Sequence, residues 1–282
     1  MKGLEKKVVL ITGVSSGIGQ ASARLLAQRG CAVFGTVRDA SRAEKLPDVE
    51  VLPLDVRVDE SVRKCVDTVL KRTGRLDVLV NNAGYVLRGA IEETAVEEAK
   101  AQFETNFFGV VRMVRAVLPT MRGQHGGHII NISSAVGLAP VPFGGFYSAS
   151  KFALEGYTEA LRHEVKPFNI HVSLVEPGYI KTRLAENAQS PAGPIPDYDP
   201  WRRRVAEVRA QRIGAAPDAI IVAECVLRIV DSAAPRLRYG VGKETARIVR
   251  LRRLLPEALF ERGMRRVFRL DAPSESEKRG AA

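Results

Sequence analysis

The stretch ITGVSSGIG, residues 11–19, decides how the rest of the chain is read. It follows the β-branched run VVLIT (8–12) and leads into a segment of helical periodicity, so Gly13, Gly17 and Gly19 fall in the turn between a strand and a helix. There the backbone can approach a pyrophosphate, whose charge the free N–H groups of the helix N-terminus stabilise. Glycine spacing alone is weak evidence; the strand before and the helix after favour a dinucleotide over a plain turn. Ser15, Ser16 and Ile18 complete the loop as candidate cofactor contacts.

Outward from that turn, short apolar runs alternate with longer helical segments. CAVFGTV (31–37), VEVLPLDV (49–56), LDVLVNN (76–82), HIINIS (128–133) and IHVSLVEP (170–177) are continuous rather than alternating, the pattern of strands buried on both faces of a parallel sheet. Between them the sequence predicts helices at about 18–29, stopped by Gly30, and at about 60–73, with Asp59 as N-cap and Gly74 as stop. Thr94 and Glu97 form a capping-box pattern that opens another. Strand, helix, strand with right-handed crossovers gives one α/β domain, a Rossmann-type doubly wound parallel sheet with helices on both faces. The segment QSPAGPIPDYDP (189–200) holds four prolines and excludes a strand or helix interior. Periodicity resumes after Pro217, followed by a last strand candidate, RLRYGVG. The expected division is a catalytic domain over 1–245 with a mobile excursion near 185–212, a basic helical extension over 246–270 and a disordered polar tail over 271–282.

Composition narrows the function. The three cysteines, Cys31, Cys65 and Cys225, have no disulfide or metal spacing, and the four histidines lack partner ligands, so no metal is expected and a reducing cytoplasm fits best. No apolar run approaches the roughly 20 residues of a spanning helix. The net charge of +11 is concentrated near the C-terminus. The arginine-rich stretch 236–269 reads first as a helix docked by its apolar face on its own domain or on a second subunit, and second as a peripheral membrane contact. No nucleic-acid motif accompanies the charge.

TGxxxGxG at 12–19, Asp55 in LPLDV, NNAG at 81–84, Asn106 in ETNFFG, Ser134 in NISS, YSASK at 147–151 and PGYIKT at 177–182 occur in one order. With them the chain, over about residues 5–245, resembles the compact branch of the short-chain dehydrogenase/reductase family. The resemblance implies a nicotinamide cofactor, with Asp55 and Val56 at the adenine and Asn81, Ala83 and Gly84 beside the dinucleotide. Pro177, Gly178, Ile180 and Thr182 then wrap the nicotinamide. Within the family the chain looks most like the group of estradiol 17-beta-dehydrogenase and retinol dehydrogenases, which implies a bulky hydrophobic alcohol or ketone as substrate and a homodimer or homotetramer built on the helices at about 95–121 and 147–164. The excursion at 185–212 falls where the family carries its substrate lid, and Tyr198 and Trp201 there are read either as a cover for substrate or as surface packing.

The chemistry centres on Tyr147 and Lys151. A phenol with a pKa near 10 is a poor base at neutral pH, and a lysine four residues on, on the same helical face, favours its ionised form. A tuned tyrosine can give a proton to a carbonyl oxygen or take one from an alcohol as hydride moves. By the family pattern Ser134 polarises the substrate oxygen and Asn106 supports a water-mediated proton route through the lysine, while strand alternation turns Ser133 the other way. At the end of the second strand, where an acid would bind the ribose of NAD, the family alignment places Thr36, with Arg38 two positions on and Ser15 near; this favours NADP(H). Asp39 keeps NAD(H) as the second choice. Other readings are a non-catalytic NADP(H)-binding redox sensor, which would be expected to lack the Tyr or Lys, and an epimerase or lyase on the same scaffold.

Overall fold

The computed structural model describes residues 6–39, 45–186 and 188–271; of the expected tail over 271–282, only Asp271 lies within them. Seven parallel strands form one sheet: β1 (Val8–Ile11), β2 (Ala32–Val37), β3 (Val49–Pro53), β4 (Val78–Asn81), β5 (Gly127–Ile132), β6 (Ile170–Pro177) and β7 (Arg238–Val241). Their spatial order is β3-β2-β1-β4-β5-β6-β7. The chain moves outward to β3 and returns to lay β4 against the other side of β1, so the order reverses between β1 and β4. The crevice beyond the carboxyl ends of these two strands is where ligands of such sheets bind.

The sheet is apolar on both faces because its residues alternate between two cores. Val8 and Leu10 of β1, Leu79 of β4 and Ile129 of β5 pack on one face, against helices α2 (Asp59–Thr73), α4 (Gly109–Gly123) and α5 (Gly145–Val165). Val9 and Ile11, Val78 and Val80, and Ile130 and Ile132 pack on the other, against α1 (Gly17–Gln28) and α8 (Ile220–Asp231). A strand that faces two helical layers has no solvent side, which explains the unbroken apolar runs.

Several helix boundaries differ from expectation. Gly30 (φ 88°) and Gly74 (φ 71°) follow α1 and α2 in left-handed conformation, as stop signals should. Asp59, however, belongs to the first turn of α2, and Val58 is the N-cap; the carboxylate favours the positive helix end without closing a cap. The Thr94 and Glu97 pattern is displaced by one residue. Helix α3 (Val96–Phe103) begins after Ala95, whose N–H donates to the Glu98 carboxylate at 2.9 Å, while the Thr94 hydroxyl turns back to the Ala90 carbonyl at 2.9 Å. The long helix at about 95–121 is α3 and α4 joined by a π-helical turn over Glu104–Phe108.

The excursion at 185–212 overlaps α6 (Arg183–Glu186) and a 16-residue helix, α7 (Asp199–Gly214), the latter absent from the sequence expectation. The basic extension folds as α9 (Lys243–Leu254) and α10 (Glu257–Val267). It docks on its own chain: Phe268, 2% exposed, packs with Val205 and Val208 of α7.

Candidate active site

The floor of the site is the turn after β1. Gly13 adopts φ 75°, and a Cβ there would lie 3.0 Å from the Ala83 Cα. A Cβ at Gly19 would lie 2.1 Å from the Gly13 carbonyl oxygen, so the first turn of α1 packs against the loop at a distance only hydrogen allows. The N-cap of α1, Ser16, makes no side-chain cap bond, and the first turn holds no acid. The helix therefore presents unpaired N–H groups and a positive dipole end to the crevice. These features fit the pyrophosphate of a dinucleotide: the backbone is close, the charge is complementary and no side chain fills the cradle.

The turn after β4 closes on that floor. Asn82 donates from Nδ2 to the carbonyls of Thr12 (3.0 Å) and Gly13 (2.8 Å), and the Thr12 hydroxyl accepts the N–H groups of Asn82 and Ala83, each at 3.0 Å. Thr36, 1% exposed at the end of β2, accepts the Gly13 N–H at 3.3 Å. Arg38 follows it on the crevice wall and is exposed. Asp55 is held in a fork by Arg57, with contacts of 2.9, 3.2 and 2.6 Å, and that guanidinium keeps its carboxyl below the usual range.

The cavity above these turns has a volume of about 830 Å³. Tyr147, in the first turn of α5, and Ser134, just after β5, both reach its wall. The Ser134 hydroxyl accepts the Val136 N–H at 3.3 Å and donates to the Pro177 carbonyl at 3.4 Å, which ties the ends of β5 and β6 together. Lys151 is 7% exposed; its Nζ lies 6.0 Å from the centroid of the Tyr147 ring and donates to the Ile132 carbonyl at 2.8 Å. Asn106 lies in the π-helical turn, a distortion frequent at functional sites. It brackets Tyr85, accepting its N–H at 3.0 Å and donating to its carbonyl at 2.9 Å, and reaches Ser150 Oγ at 3.3 Å.

Burial dominates the electrostatics of the Tyr147 and Lys151 pair. Burial pushes the Tyr147 phenol up, while the Ser134 hydroxyl and the Arg88 charge pull it down. Burial also brings the Lys151 pKa down, to about 8, with the Glu155 carboxylate opposing. The ammonium therefore stays mostly charged at neutral pH but gives up its proton well before a solvated lysine would. The cationic charge that lowers the phenol's pKa is that of Arg88.

Of the residues expected at the site, Gly13, Ser15, Ser16, Gly17, Ile18, Arg38, Asp55, Val56, Ala83, Gly84, Asn106, Ser134, Tyr147, Lys151, Pro177, Gly178, Ile180 and Thr182 line this cavity. Gly19 and Asn81 do not. Gly19 acts from beneath, as the contact surface between α1 and the turn. The Asn81 side chain points into the sheet interior and donates to Asn131 at 2.9 Å, which in turn donates to Thr158 at 2.9 Å; Asn82 is its neighbour at the cofactor floor. Tyr198 and Trp201 do not cover the cavity either: Tyr198 donates to Glu92 at 2.7 Å and Trp201 to the Leu270 carbonyl at 3.3 Å.

Sequence reasoning missed the roof. Ile248, Leu251, Leu255, Phe260 and Met264 of the C-terminal extension line the cavity, as do Arg209 and Arg212 of α7 and Arg88 in the loop after β4. The spacing of Ile248, Leu251, Leu255 and Leu259 was a readable apolar stripe, but which surface it covers depends on tertiary placement. Among the described residues, no cluster of His, Cys, Asp and Glu could hold a metal ion, and no helix is long and apolar enough to cross a membrane.

Comparison with known proteins agrees with this geometry. Residues 7–192 match the model of the family described as short chain dehydrogenase. The chain is 44% identical over 243 residues to a 3-ketodihydrosphingosine reductase of Bacteroides thetaiotaomicron, covering 85% of this chain and 89% of that one. It is 37% identical over 272 residues to retinol dehydrogenase 8 of Bos taurus, covering 89% and 86%. A solved short-chain dehydrogenase from Streptomyces avermitilis superposes with a TM-score of 0.77 at 35% identity, over 88% of this chain and 92% of that one. Two further solved relatives are complexes with different nicotinamide cofactors. The one from Burkholderia phymatum, with NAD, has a TM-score of 0.76 at 26% identity, covering 90% and 95%. The one from Burkholderia cenocepacia, with NADP, has a TM-score of 0.74 at 25% identity, covering 92% and 97%. The glycine floor, the tyrosine on its helix and these matches lead to one assignment: the chain belongs to the short-chain dehydrogenase family, whose members are nicotinamide-dependent oxidoreductases.

Proposed function

We propose that the protein is an NADP(H)-dependent oxidoreductase that interconverts a carbonyl and a secondary alcohol on a substrate with a large apolar body. The observation that carries this reading is the meeting of Tyr147 and Ser134 on the wall of a cavity that runs to the glycine turn. When bound, the nicotinamide supplies or accepts the hydride. Tyr147 then gives a proton to the carbonyl oxygen in reduction, or takes one from the hydroxyl in oxidation, and Ser134 holds that oxygen by hydrogen bonding. Burial raises the Tyr147 pKa, which keeps the phenol protonated and suits it to the acid role. The apolar roof from the C-terminal extension excludes water and matches an apolar substrate.

NADP(H) is favoured because Thr36 is neutral and buried where an acid would bind the ribose, while Arg38 stands on the cavity wall at the same strand end. Assembly as a homodimer or homotetramer belongs to the same reading; Phe108 (45% exposed) and Phe152 (43%) supply apolar surface on adjoining helices.

The test is Tyr147→Phe. We expect kcat on a hydrophobic ketone with NADPH to fall by roughly 10²–10⁴-fold, with the circular dichroism spectrum and nucleotide affinity unchanged. Turnover near that of the parent would remove the mechanism. In the parent protein kcat/KM with NADPH should exceed that with NADH, and the reverse order would overturn the cofactor assignment.

A further inference from the structure

Charge is distributed unevenly around the reacting end of the cavity. Arg88, Arg209 and Arg212 all line it, whereas the one carboxylate among its lining residues, Asp55, is forked to Arg57 beside Arg38. Arg209 is 8% exposed, and its guanidinium donates to the Pro142 carbonyl. A Cβ built on Gly144 would lie 3.2 Å from Arg209 Nη2, which places the cation within one turn of Tyr147 in the chain. Arg212, one helical turn further along α7, lies over the Tyr179 ring at 5.7 Å from its centroid. Arg88 is fixed by its backbone, whose N–H donates to the Gln189 carbonyl at 2.8 Å. Among the described residues no carboxylate pairs with the side chain of Arg88 or Arg209.

That arrangement is costly without a ligand. A guanidinium withdrawn from water loses hydration that a carboxylate normally replaces, and two such groups near each other repel. The chain does pair its arginines elsewhere: Arg202 with Glu93 and Asp199, and Arg238 with Glu155, Glu159 and Glu176. Arg88 and Arg209, at the cavity, are left for something else to neutralise. Guanidinium groups recognise planar or tetrahedral oxyanions by paired N–H donors.

We infer that the substrate of this site bears an anionic group, a carboxylate or a phosphate, on its apolar body, bound by Arg88 with Arg209 and Arg212. The inference rests on the oxidoreductase reading above and narrows it from neutral hydrophobic alcohols to amphipathic anions. Ile248, Leu251 and Phe260 take the apolar part, and the arginines fix which end of the molecule meets Tyr147. A substrate with an ammonium group is disfavoured by the same charges.

The experiment uses the full-length protein saturated with NADP⁺, so that anion binding at the dinucleotide phosphates is already satisfied. Calorimetric titration with dodecanoate, dodecyl phosphate and dodecylammonium should show at least one anion binding about tenfold or more tighter than the cation. The anion that binds more tightly identifies the headgroup. In Arg88→Gln that ratio should fall to about threefold or less, and Arg88→Lys should retain part of it, since a point charge replaces a fork. Equal or tighter binding of dodecylammonium to the parent protein overturns the inference, as does an unchanged ratio in a folded Arg88→Gln. Should that variant fail to fold, Arg212→Gln gives the same readout. Turnover of a neutral aromatic ketone with NADPH, measured in parallel, reports separately on the oxidoreductase reading: activity there without anion preference rejects only the present inference.

Discussion

Lys151 is held between two influences that a sequence cannot rank. Its Nζ donates to the Ile132 carbonyl at 2.8 Å, and burial brings its pKa down to about 8, while Glu155, one turn further along α5, pulls it back up. Glu155 is itself pushed up to about 7, chiefly by burial, although Arg238 pairs with it. Removing the carboxylate removes the influence that keeps the lysine charged, so the Lys151 pKa should fall. Activity that depends on a charged lysine is lost as pH rises through that value. In Glu155→Gln the pH above which kcat declines should therefore move down, by roughly 0.5–1 unit, and a pH profile that stays in place or moves upward would contradict this. The gathering of Tyr147, Lys151 and Ser134 on one cavity was legible from the sequence because proton transfer demands particular groups and a helix fixes their spacing. Arg88 carried no such pattern, since a loop residue has no period and only the fold shows which way it faces. The separation of Asn81 from Asn82 was hidden for a related reason: at a strand end adjacent side chains point to opposite sides, and the last paired residue must be known before either can be assigned.

Helices divide into those announced by their own sequence and those made by their neighbours. Helices α1 and α8 carry apolar faces that match the sheet, and Gly30 and Gly74 end α1 and α2 by adopting left-handed backbone. Helix α7 has charged residues on all sides, from Arg202 to Arg212, and buries only Val205, Val208 and Arg209; three prolines before it and Pro200 in its first turn mask its start further. Its stability comes from the C-terminal extension, through Phe268. Deleting that ring should release α10 from α7 without touching the sheet. A buried Phe→Ala change costs about 3–5 kcal/mol, and in this satellite cluster the loss is local undocking rather than global unfolding. For Phe268→Ala we expect faster amide exchange in α7 and α10, unchanged exchange in β1, β4 and β5, and a KM for a long apolar substrate raised several-fold with kcat less affected. A uniform rise in exchange across the sheet would show that the extension is part of the main cooperative unit instead.

At the scale of the whole molecule, the doubly wound sheet places a histidine where it cannot be charged. His128 opens the buried run of β5, 6% exposed, with its Nε2 3.5 Å from the Ser173 hydroxyl and the His171 ring 5.6 Å away. Burial is the main reason its pKa falls to about 3, and the charges of His171, Lys7 and Arg162 add to it. In the unfolded chain the same ring titrates near 6.5. Above pH 6.5 it is neutral in both states and costs nothing; below that the unfolded chain takes up a proton that the folded protein refuses until about pH 3. Stability tied to this group is therefore present above 6.5 and lost as the pH falls through that window. Glu155 works against it, since a carboxyl raised from 4.5 to about 7 favours folding below 4.5 and loses that contribution as pH rises to 7. His128→Asn keeps a polar side chain at the position and removes the titration. The urea midpoint of the parent should drop between pH 7 and pH 4.5, while that of His128→Asn, even if lower at pH 7, should drop by distinctly less. Parallel pH dependence in the two proteins would assign acid sensitivity to the repulsion of a chain with a net charge of +11 rather than to this one ring inside the sheet.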